Sequence, residues 1–185
     1  MEVSLTRILG LSIEGLANVH NSAMRLLASV SFVVLATASS FADDTATRKA
    51  IQARYAEISK AFASRNVKVF EAAFTDDFTA SVAGRPKISR AETFRDFEGQ
   101  MKVLSDVKWT QDITALKMDG KVAHVTINSL MFATAPGQDG KKHKLKLQTK
   151  GTKSDWVKGK KGWQVKYSET GDLKMWMDGK PLPMR

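Results

Sequence analysis

The sequence predicts an α+β domain in which three helices cover one face of an antiparallel sheet. Apolar residues recur at helical spacing over residues 51–74 and again over residues 89–101. Beyond residue 101 the apolar period changes from about 3.6 residues to 2, which marks the change from helix to strand. Helices followed by consecutive strands are typical of a sheet whose helices all lie on one side.

A secretory leader is predicted ahead of the domain. Basic Arg25 follows Met24, an apolar run covers residues 26–38, and small residues precede a cleavage position after Ala42. The run is shorter than the roughly 20 apolar residues that a membrane-spanning helix needs, which favours cleavage over anchoring. The residues ahead of Met24 fit poorly as the basic start of a leader, which suggests a misassigned upstream start with Met24 as the initiator.

We therefore expect a leader over residues 1–42, one domain over residues 43–170 and a C-terminal tail over residues 171–185. The mature protein would be periplasmic or secreted, with no membrane span after cleavage. One core is expected because the 185 residues are 43% hydrophobic and contain no linker or internal repeat. The sequence has no cysteine, which excludes disulfides and thiol catalysis.

The first helix carries the longest apolar stripe, formed by Ile51, Tyr55, Ile58 and Phe62. Two aspartates followed by Thr45 supply capping oxygens and negative charge, which predicts that this helix starts near Thr45. Helices of this kind cannot bury such a stripe alone, so the later strands must cover it.

Two shorter helices follow. Asn66 separates the first helix from a second apolar set over residues 67–74. A short strand is predicted over residues 78–82. Ser89 is predicted to cap a third helix that continues through Met101.

Four long strands are predicted after the third helix, over residues 107–118, 122–133, 142–158 and 163–170. Asp119 and Gly120 predict a two-residue hairpin turn in which both residues have positive φ. The tail after residue 170 has apolar side chains that can dock on the domain, but its conformation is not predicted.

Three features resemble the nuclear transport factor 2-like superfamily, in particular its SnoaL-like bacterial branch. They are the run RYAEISKAFASRNVKVFEAAFTDDF, the third helix after a short insertion, and the segment SDWVKGKKGWQVKYSE. The resemblance implies a cone, in which a curved antiparallel sheet wraps around the long helix and leaves a pocket at its open end. It also implies a homodimer formed through the sheet. Activity does not follow, because this fold hosts isomerases, cyclases, dehydratases, binding modules and association domains.

The ketosteroid isomerase-like members of the superfamily allow a test by residue. The resemblance implies that a helix tyrosine and a strand aspartate donate hydrogen bonds to an oxyanion, while a carboxylate moves a proton. Tyr55 and Asp155 stand at the first two positions, but Val82 stands at or near the third. Without the base, a proton-transfer contribution of about 10²- to 10⁴-fold is lost, so this chemistry is not expected. Tyr55 and Asp155 remain pocket candidates; the alternatives are a core tyrosine and an aspartate that braces the backbone.

Glu169 is a further candidate acid. By the strand period of 2 it shares a face with Trp163, Val165 and Tyr167, which would turn its carboxylate into the cone. Desolvation there would raise its pKa, as a functional acid requires. The alternative is a strand end that is open to water.

Other polar and aromatic residues have structural alternatives as well. Trp109 and Gln111 share a strand face and could line a pocket, or the tryptophan could belong to the core. Asp76 and Asp77 could act as an acid–base pair or bind a hard cation, although adjacent aspartates after a helix are commonly solvated turn residues. His124 lies on a polar strand face without a second ligand at metal-binding spacing. No nucleophile-elbow, phosphate-loop or dinucleotide motif occurs, and we expect neither metal nor cofactor.

The C-terminal part of the chain is strongly basic. The whole chain has a formal charge of +10, and residues 141–185 hold 12 lysines and 1 arginine against 4 acidic residues, a net charge of +9. Lys144, Lys146 and Lys150 alternate with apolar neighbours, so these lysines should lie on one sheet face as an anion patch. An anionic lipid, an acidic glycan or an acidic protein would suit the patch. The alternative is a solvated face that discourages edge pairing.

Nucleic acid is not expected as the partner of these lysines. The protein is predicted to be exported, and in the sequence no aromatic residues interleave the lysines to stack on bases.

Three functional hypotheses follow. The first is an exported domain that binds a small, partly apolar ligand without converting it. The pocket would be bounded by Tyr55, Trp109, Gln111, Asp155, Tyr167 and Glu169. The second is a lyase or isomerase that uses Asp155 or Glu169 as acid or base and Tyr55 as the oxyanion donor. The third is a dimeric interaction domain that uses its sheet face.

Overall fold

The computed structural model describes residues 38–82, 86–137 and 139–183. The helices are α1 (Ala38–Ala63), α2 (Val67–Ala72) and α3 (Arg90–Val103). The strands are β1 (Phe74–Val82), β2 (Ile88–Ser89), β3 (Ser105–Asp119), β4 (Val122–Pro136), β5 (Lys142–Gly159), β6 (Gly162–Thr170), β7 (Asp172–Met177) and β8 (Lys180–Pro181). The predicted leader lies outside the described residues except for residues 38–42. Within the described residues, no helix is both long and apolar enough to span a bilayer.

The eight strands form one curved sheet with the order β2-β1-β6-β5-β4-β3. The strand β7 pairs with the first half of β5 and with β8, so the tail extends the sheet. All pairs are antiparallel except β1 and β6, which run parallel. This parallel pair explains why β1 begins at Phe74 and not near Phe78 as predicted, because Phe74 already pairs with Val165.

The long helix α1 lies against one face of the sheet, which we call the inner face; the opposite face is the outer face. The predicted stripe of Ile51, Tyr55, Ile58 and Phe62 is confirmed, since none of these side chains is more than 3% exposed. Strands β3 to β6 supply the other wall of the core, including Trp156, which is fully buried.

Side chains of α1 also protect the free edge of β3. The Arg48 Nη1 group donates to the Ile113 carbonyl at 2.7 Å, and Gln52 Nε2 donates to the Gln111 carbonyl at 2.6 Å. The Ile113 amide in turn donates to Gln52 Oε1 at 3.2 Å. Unpaired backbone groups of an edge strand invite association with other chains, and here the helix satisfies several of them.

Helix α1 starts earlier than predicted, while the predicted cap of α3 is confirmed. The start near Thr45 is wrong because helical backbone already begins at Ala38. The residues 38–42, ASSFA, are compatible with a helix, so the following aspartates lie within it and not at its start. In α3 the Ser89 hydroxyl accepts from the Glu92 amide at 3.3 Å, and the Glu92 carboxylate accepts from the Ser89 amide at 2.9 Å.

The β3–β4 hairpin turns one residue later than predicted. Asp119 is the last residue of β3, and Gly120 and Lys121 form the turn. Gly120 has a φ of +55°, whereas neither Asp119 nor Lys121 has positive φ. The strand pairing of Asp119 with Val122 explains the shift, because it holds Asp119 in the ladder.

Candidate functional site

Tyr55 occupies the centre of the core between α1 and β5. Its hydroxyl accepts a hydrogen bond from Trp156 Nε1 at 3.1 Å, and the two rings pack edge to face with centroids 4.8 Å apart. Burial raises the pKa of the Tyr55 hydroxyl, and hydrogen bonds to Ser154 and Trp156 partly offset that rise. Tyr55 is therefore held as a core residue with a satisfied hydroxyl.

A β-bulge at Lys166 reverses the side-chain orientation in the rest of β6. Trp156 pairs with Val165 but Asp155 pairs with Tyr167, which leaves Lys166 as an extra residue on β6. Trp163 and Val165 point to the inner face and are buried. After the bulge Tyr167 and Glu169 point to the outer face and Ser168 to the inner face, because the extra residue shifts the strand period by one.

The prediction that Glu169 shares the face of Trp163 and Val165 is therefore wrong. Glu169 pairs with Lys153, and Tyr167 pairs with Asp155, so all four lie on the outer face of β5 and β6. The two carboxylates proposed to work with Tyr55 are separated from it by the thickness of the sheet.

Asp155 belongs to a polar row that crosses the outer face. It lies in register between His124 and Tyr167, and its Oδ1 atom is 2.7 Å from His124 Nδ1. The His124 Nε2 atom is 3.9 Å from Asp119 Oδ2. His124 thus lies between two carboxylates on an exposed sheet face.

The Tyr167 hydroxyl joins β6 to β1 on the same face. It lies 2.7 Å from the Ser81 hydroxyl and donates to Glu169 Oε2 at 3.3 Å. The Lys87 ammonium lies 4.7 Å from the centroid of the Tyr167 ring, at cation–π distance. These contacts use the polar groups of Tyr167 and Glu169 in a network that braces the sheet.

Trp109 and Gln111 do lie on the inner face, as the shared strand face predicted. Gln111 is buried, and its Oε1 accepts from the Ser59 hydroxyl at 3.0 Å. Trp109 is half-buried and packs edge to face on Phe62, with ring centroids 5.5 Å apart. The predicted ligand-lining set is thus divided, with these two residues and Tyr55 inside and the other three outside.

Asp76 and Asp77 are exposed residues of β1 and not turn residues. They border a surface depression of about 370 Å³, lined by Thr75, Asp76, Asp77, Lys160, Lys161 and Gln164. The Thr75 side chain lowers the pKa of Asp77 most, followed by Lys166, whose ammonium lies 3.5 Å from the Asp77 carboxylate. Asp77 therefore stays ionised near neutral pH, which suits an ion pair better than a general acid.

The lysines of the anion patch lie on the outer face, as their alternation with Leu145 and Leu147 predicts. Both leucines are buried, whereas Lys144 and Lys150 are exposed and Lys146 is half-buried. The patch is larger than the sequence suggested, because β3 and β7 add Lys108 and Lys174 beside it.

Two aromatic side chains lie among these lysines. The register places Lys108, Phe132, Lys146 and Trp176 side by side on β3, β4, β5 and β7. We call these four residues the Lys–aromatic row. The Lys146 ammonium lies 4.6 Å from the centroid of the Trp176 ring, and Phe132 is 46% exposed. The expectation that no aromatic residue interleaves the lysines is wrong in three dimensions, because cross-strand neighbours are distant in sequence.

A histidine clamp that the sequence did not reveal closes one end of this region. His143 bridges two carboxylates, with Nδ1 2.6 Å from Asp178 Oδ2 and Nε2 2.9 Å from Asp139 Oδ1. These contacts raise the pKa of His143, Asp139 contributing most, and lower the pKa of both aspartates. Asp178 also accepts from the Lys144 amide at 2.8 Å, so the clamp ties the β7–β8 turn to β5.

The arrangement of helices and sheet recurs in solved structures. A conserved protein from Planctomyces limnophilus superposes with a TM-score of 0.58 at 15% identity, over 75% of this chain and 99% of that one. A ketosteroid isomerase-like protein from Erwinia carotovora atroseptica gives 0.51 at 18% identity, over 67% and 94%. A chain from Streptomyces avermitilis named for the nuclear transport factor 2-like family gives 0.54 at 13% identity, over 69% and 97%. This chain has the nuclear transport factor 2-like fold.

No protein-family model matches the sequence, and the comparison with curated proteins found no match. The nuclear transport factor 2-like fold carries many unrelated activities, so function has to be argued from the site. At identities of 13–18% the likeness establishes the fold alone.

The buried side chains of this nuclear transport factor 2-like cone carry no formal charge in the described part of the chain. Among the described residues no Asp, Glu, His, Lys or Arg side chain is buried, and the buried polar side chains other than Tyr55 are threonines, serines and Gln111. General acid–base catalysis needs a titratable group within hydrogen-bond reach of the substrate. Tyr55 is buried and its hydroxyl has a raised pKa, but that hydroxyl forms its hydrogen bonds with Trp156 and Ser154.

Proposed function

We propose that this chain is a non-catalytic binding domain that holds an anionic partner on the outer face of its sheet. The observation that carries the proposal is the convergence of unpaired lysines from β3, β5 and β7 on one end of that face. The predicted export to the periplasm or beyond is part of the proposal, because it limits the anionic partners that the protein meets.

The lysines of this region have free charge to offer. Among the described residues, no carboxylate lies within ion-pair distance of Lys108, Lys144, Lys146 or Lys174. Like charges held close together create an electric field that attracts anions from a distance, and this attraction is strongest at low ionic strength. An ion already paired within the fold would contribute little to such a field.

Three acidic residues lie beside the patch, namely Asp178, Asp106 and Asp172, the last of which is in register with Lys150. Asp178 is engaged by His143 and by the backbone amide of Lys144. Asp106 is exposed at the border, and its pKa is lowered first by Thr134 and further by Ser105, Lys144 and Lys142, so its carboxylate offsets part of the charge of Lys144.

Both ligand-in-the-cone hypotheses required Tyr55 and a carboxylate in one cavity. Asp155 and Glu169 lie on the outer face, so a lyase or isomerase built on them lacks the oxyanion donor that was proposed. The named activities of structural neighbours belong to those proteins. The homodimer implied by the family resemblance stays a prediction.

The proposal is tested by removing three patch lysines together. The variant Lys144→Gln, Lys146→Gln, Lys150→Gln is compared with Lys49→Gln, Lys68→Gln, Lys121→Gln, which loses the same charge at exposed positions elsewhere. Binding is measured on immobilised heparin and on anionic vesicles over a range of salt concentrations.

We expect the wild-type protein and the control variant to be retained at low salt and released as salt rises, because screening weakens surface electrostatics. The patch variant should elute at clearly lower salt than the control. Equal elution of both variants would show that net charge alone drives retention and would contradict a localised site.

A further inference from the structure

We infer that the Lys–aromatic row is a binding site for a linear chain of acidic sugars. The inference rests on the proposed function and deepens it by naming the class of anion. The row consists of Lys108, Phe132, Lys146 and Trp176, which are in-register neighbours on four adjacent strands. Adjacent strands are about 4.8 Å apart, so the row spans roughly 14 Å across the sheet.

The row alternates cation and ring along its length. In-register residues of neighbouring strands project from the same face with their Cβ atoms about 5 Å apart. An extended ligand that crosses the strands would meet an ammonium group, an aromatic ring, a second ammonium group and a second ring. Lys174 lies on one side of the row and Lys144 on the other, each two residues along its strand from a member of the row.

Phe132 gives the row an apolar surface that charge alone does not explain. It is 46% exposed on a strand whose inner-facing neighbours Met131 and Ala133 are buried. Aromatic rings carry a negative face, which packs favourably against C–H groups with partial positive charge. The C–H face of a pyranose ring provides such groups.

Lys146 is pre-ordered by its contact with Trp176. Its ammonium lies 4.6 Å from the ring centroid, and the cation–π attraction limits the positions that the side chain samples. A cation that is already ordered loses less entropy when it pairs with a carboxylate or sulfate. A chain of acidic sugars supplies both requirements, with apolar ring faces for Phe132 and ring substituents with negative charge for Lys108 and Lys146.

An anionic membrane fits this geometry less well. Phe132 lies in the body of β4 and not at the tip of a loop, and the flanking lysine side chains are longer than its ring. The ammonium groups would therefore meet the headgroups before the ring could reach the acyl region.

A single-stranded nucleic acid also fits less well. Such ligands stack successive bases on open aromatic faces. The Lys146 ammonium covers the Trp176 ring, which leaves Phe132 as the open ring of the row.

The test uses the full domain and four defined probes. They are a uronate oligosaccharide, polyglutamate of equal charge, an oligothymidylate and vesicles that contain phosphatidylglycerol. The variants are Phe132→Ala, Lys146→Gln and the control Val69→Ala, which also removes a side chain that is 46% exposed. Dissociation constants are measured at one low salt concentration by calorimetry.

Phe132→Ala should weaken binding of the uronate by about 2- to 10-fold, the range expected for one aromatic contact, and should leave polyglutamate binding unchanged. Lys146→Gln should weaken binding of both polymers, and Val69→Ala should change neither. Circular dichroism is expected to be the same for all variants, since Phe132 and Val69 are surface residues.

Other outcomes separate this inference from the proposed function. If Phe132→Ala leaves uronate binding unchanged while Lys146→Gln weakens it, the anion patch stands and the sugar site is overturned. Tighter binding of oligothymidylate or vesicles than of uronate also overturns the sugar site. If no lysine variant changes the binding of any probe, both the sugar site and the anion patch are wrong.

Discussion

Replacing Tyr55 by Phe is expected to destabilise the protein by about 1–3 kcal/mol. The Tyr55 hydroxyl accepts from Trp156 Nε1 at 3.1 Å, and the two side chains are 3% and 0% exposed. Removing the hydroxyl leaves a buried N–H donor without this partner, and the desolvation penalty of such a group is about 1–3 kcal/mol. The ring is retained, so little cavity cost adds to this figure.

The second tyrosine of the chain provides the matched control. Tyr167 is half-buried on the outer face, and its hydroxyl lies 2.7 Å from the buried Ser81 hydroxyl, so Tyr167→Phe should cost about 0.5–1.5 kcal/mol, the net worth of one ordinary hydrogen bond. Urea unfolding followed by tryptophan fluorescence measures both variants. With an m-value of about 2 kcal/mol per M, a loss of about 2 kcal/mol lowers the midpoint by about 1 M.

Equal midpoints for Tyr55→Phe and the wild-type protein would refute the reasoning. That result would mean that another acceptor, such as cavity water, serves the Trp156 N–H group once the hydroxyl is gone. Tyr55 would then face a solvated space, and its role as a ligand-binding residue would regain support.

Two further predictions concern the His143 clamp and a pair of glycines. The raised pKa of His143 means that its clamp stabilises the fold fully below the unfolded-state pKa near 6.5 and loses this contribution as pH rises through the folded-state pKa. His143→Gln should therefore reduce the difference in melting temperature between pH 6 and pH 8.5, and an unchanged difference would contradict the clamp. Gly171→Ala should destabilise by about 1–3 kcal/mol, because its Cβ would collide with the Lys150 carbonyl. Gly99→Ala, in an open position of α3, should stabilise by about 0.5–1 kcal/mol, and the same sign for both glycine variants would refute this account.

The sequence predicted the fold well because the fold depends on repeating patterns. The stripe of α1 and the alternation along β3 to β6 follow from helical and strand periods, which each residue reports locally. The cap at Ser89 has a local signature as well. The parallel pairing of β1 with β6 was missed, because it joins residues about 90 positions apart.

The site was harder to predict, and the bulge at Lys166 shows why. One extra residue reversed the orientation of Tyr167 and Glu169, and nothing in the local composition announces such a bulge. The Lys–aromatic row was missed for a related reason. Phe132 and Trp176 become neighbours of lysines only once the register of four strands is fixed.

The proposed anion site on the outer face is consistent with how the inner face is used. The inner face packs α1 against the sheet through Tyr55, Trp156 and Phe62. The outer face is free of that task, so its side chains can be charged without a desolvation cost. In this proposal, stability and binding depend on opposite faces of the same strands.

The most direct test of this division is a titration of ¹⁵N-labelled protein with the uronate oligosaccharide, followed by the indole N–H signals of the four tryptophans. We expect the Trp176 signal to shift progressively, together with the amide signals of β4, β5 and β7 beside Phe132 and Lys146. The signal of Trp156, buried against Tyr55, should stay in place. Shifts centred on Trp156 and Trp109, with Trp176 unchanged, would place the ligand inside the cone and contradict the account.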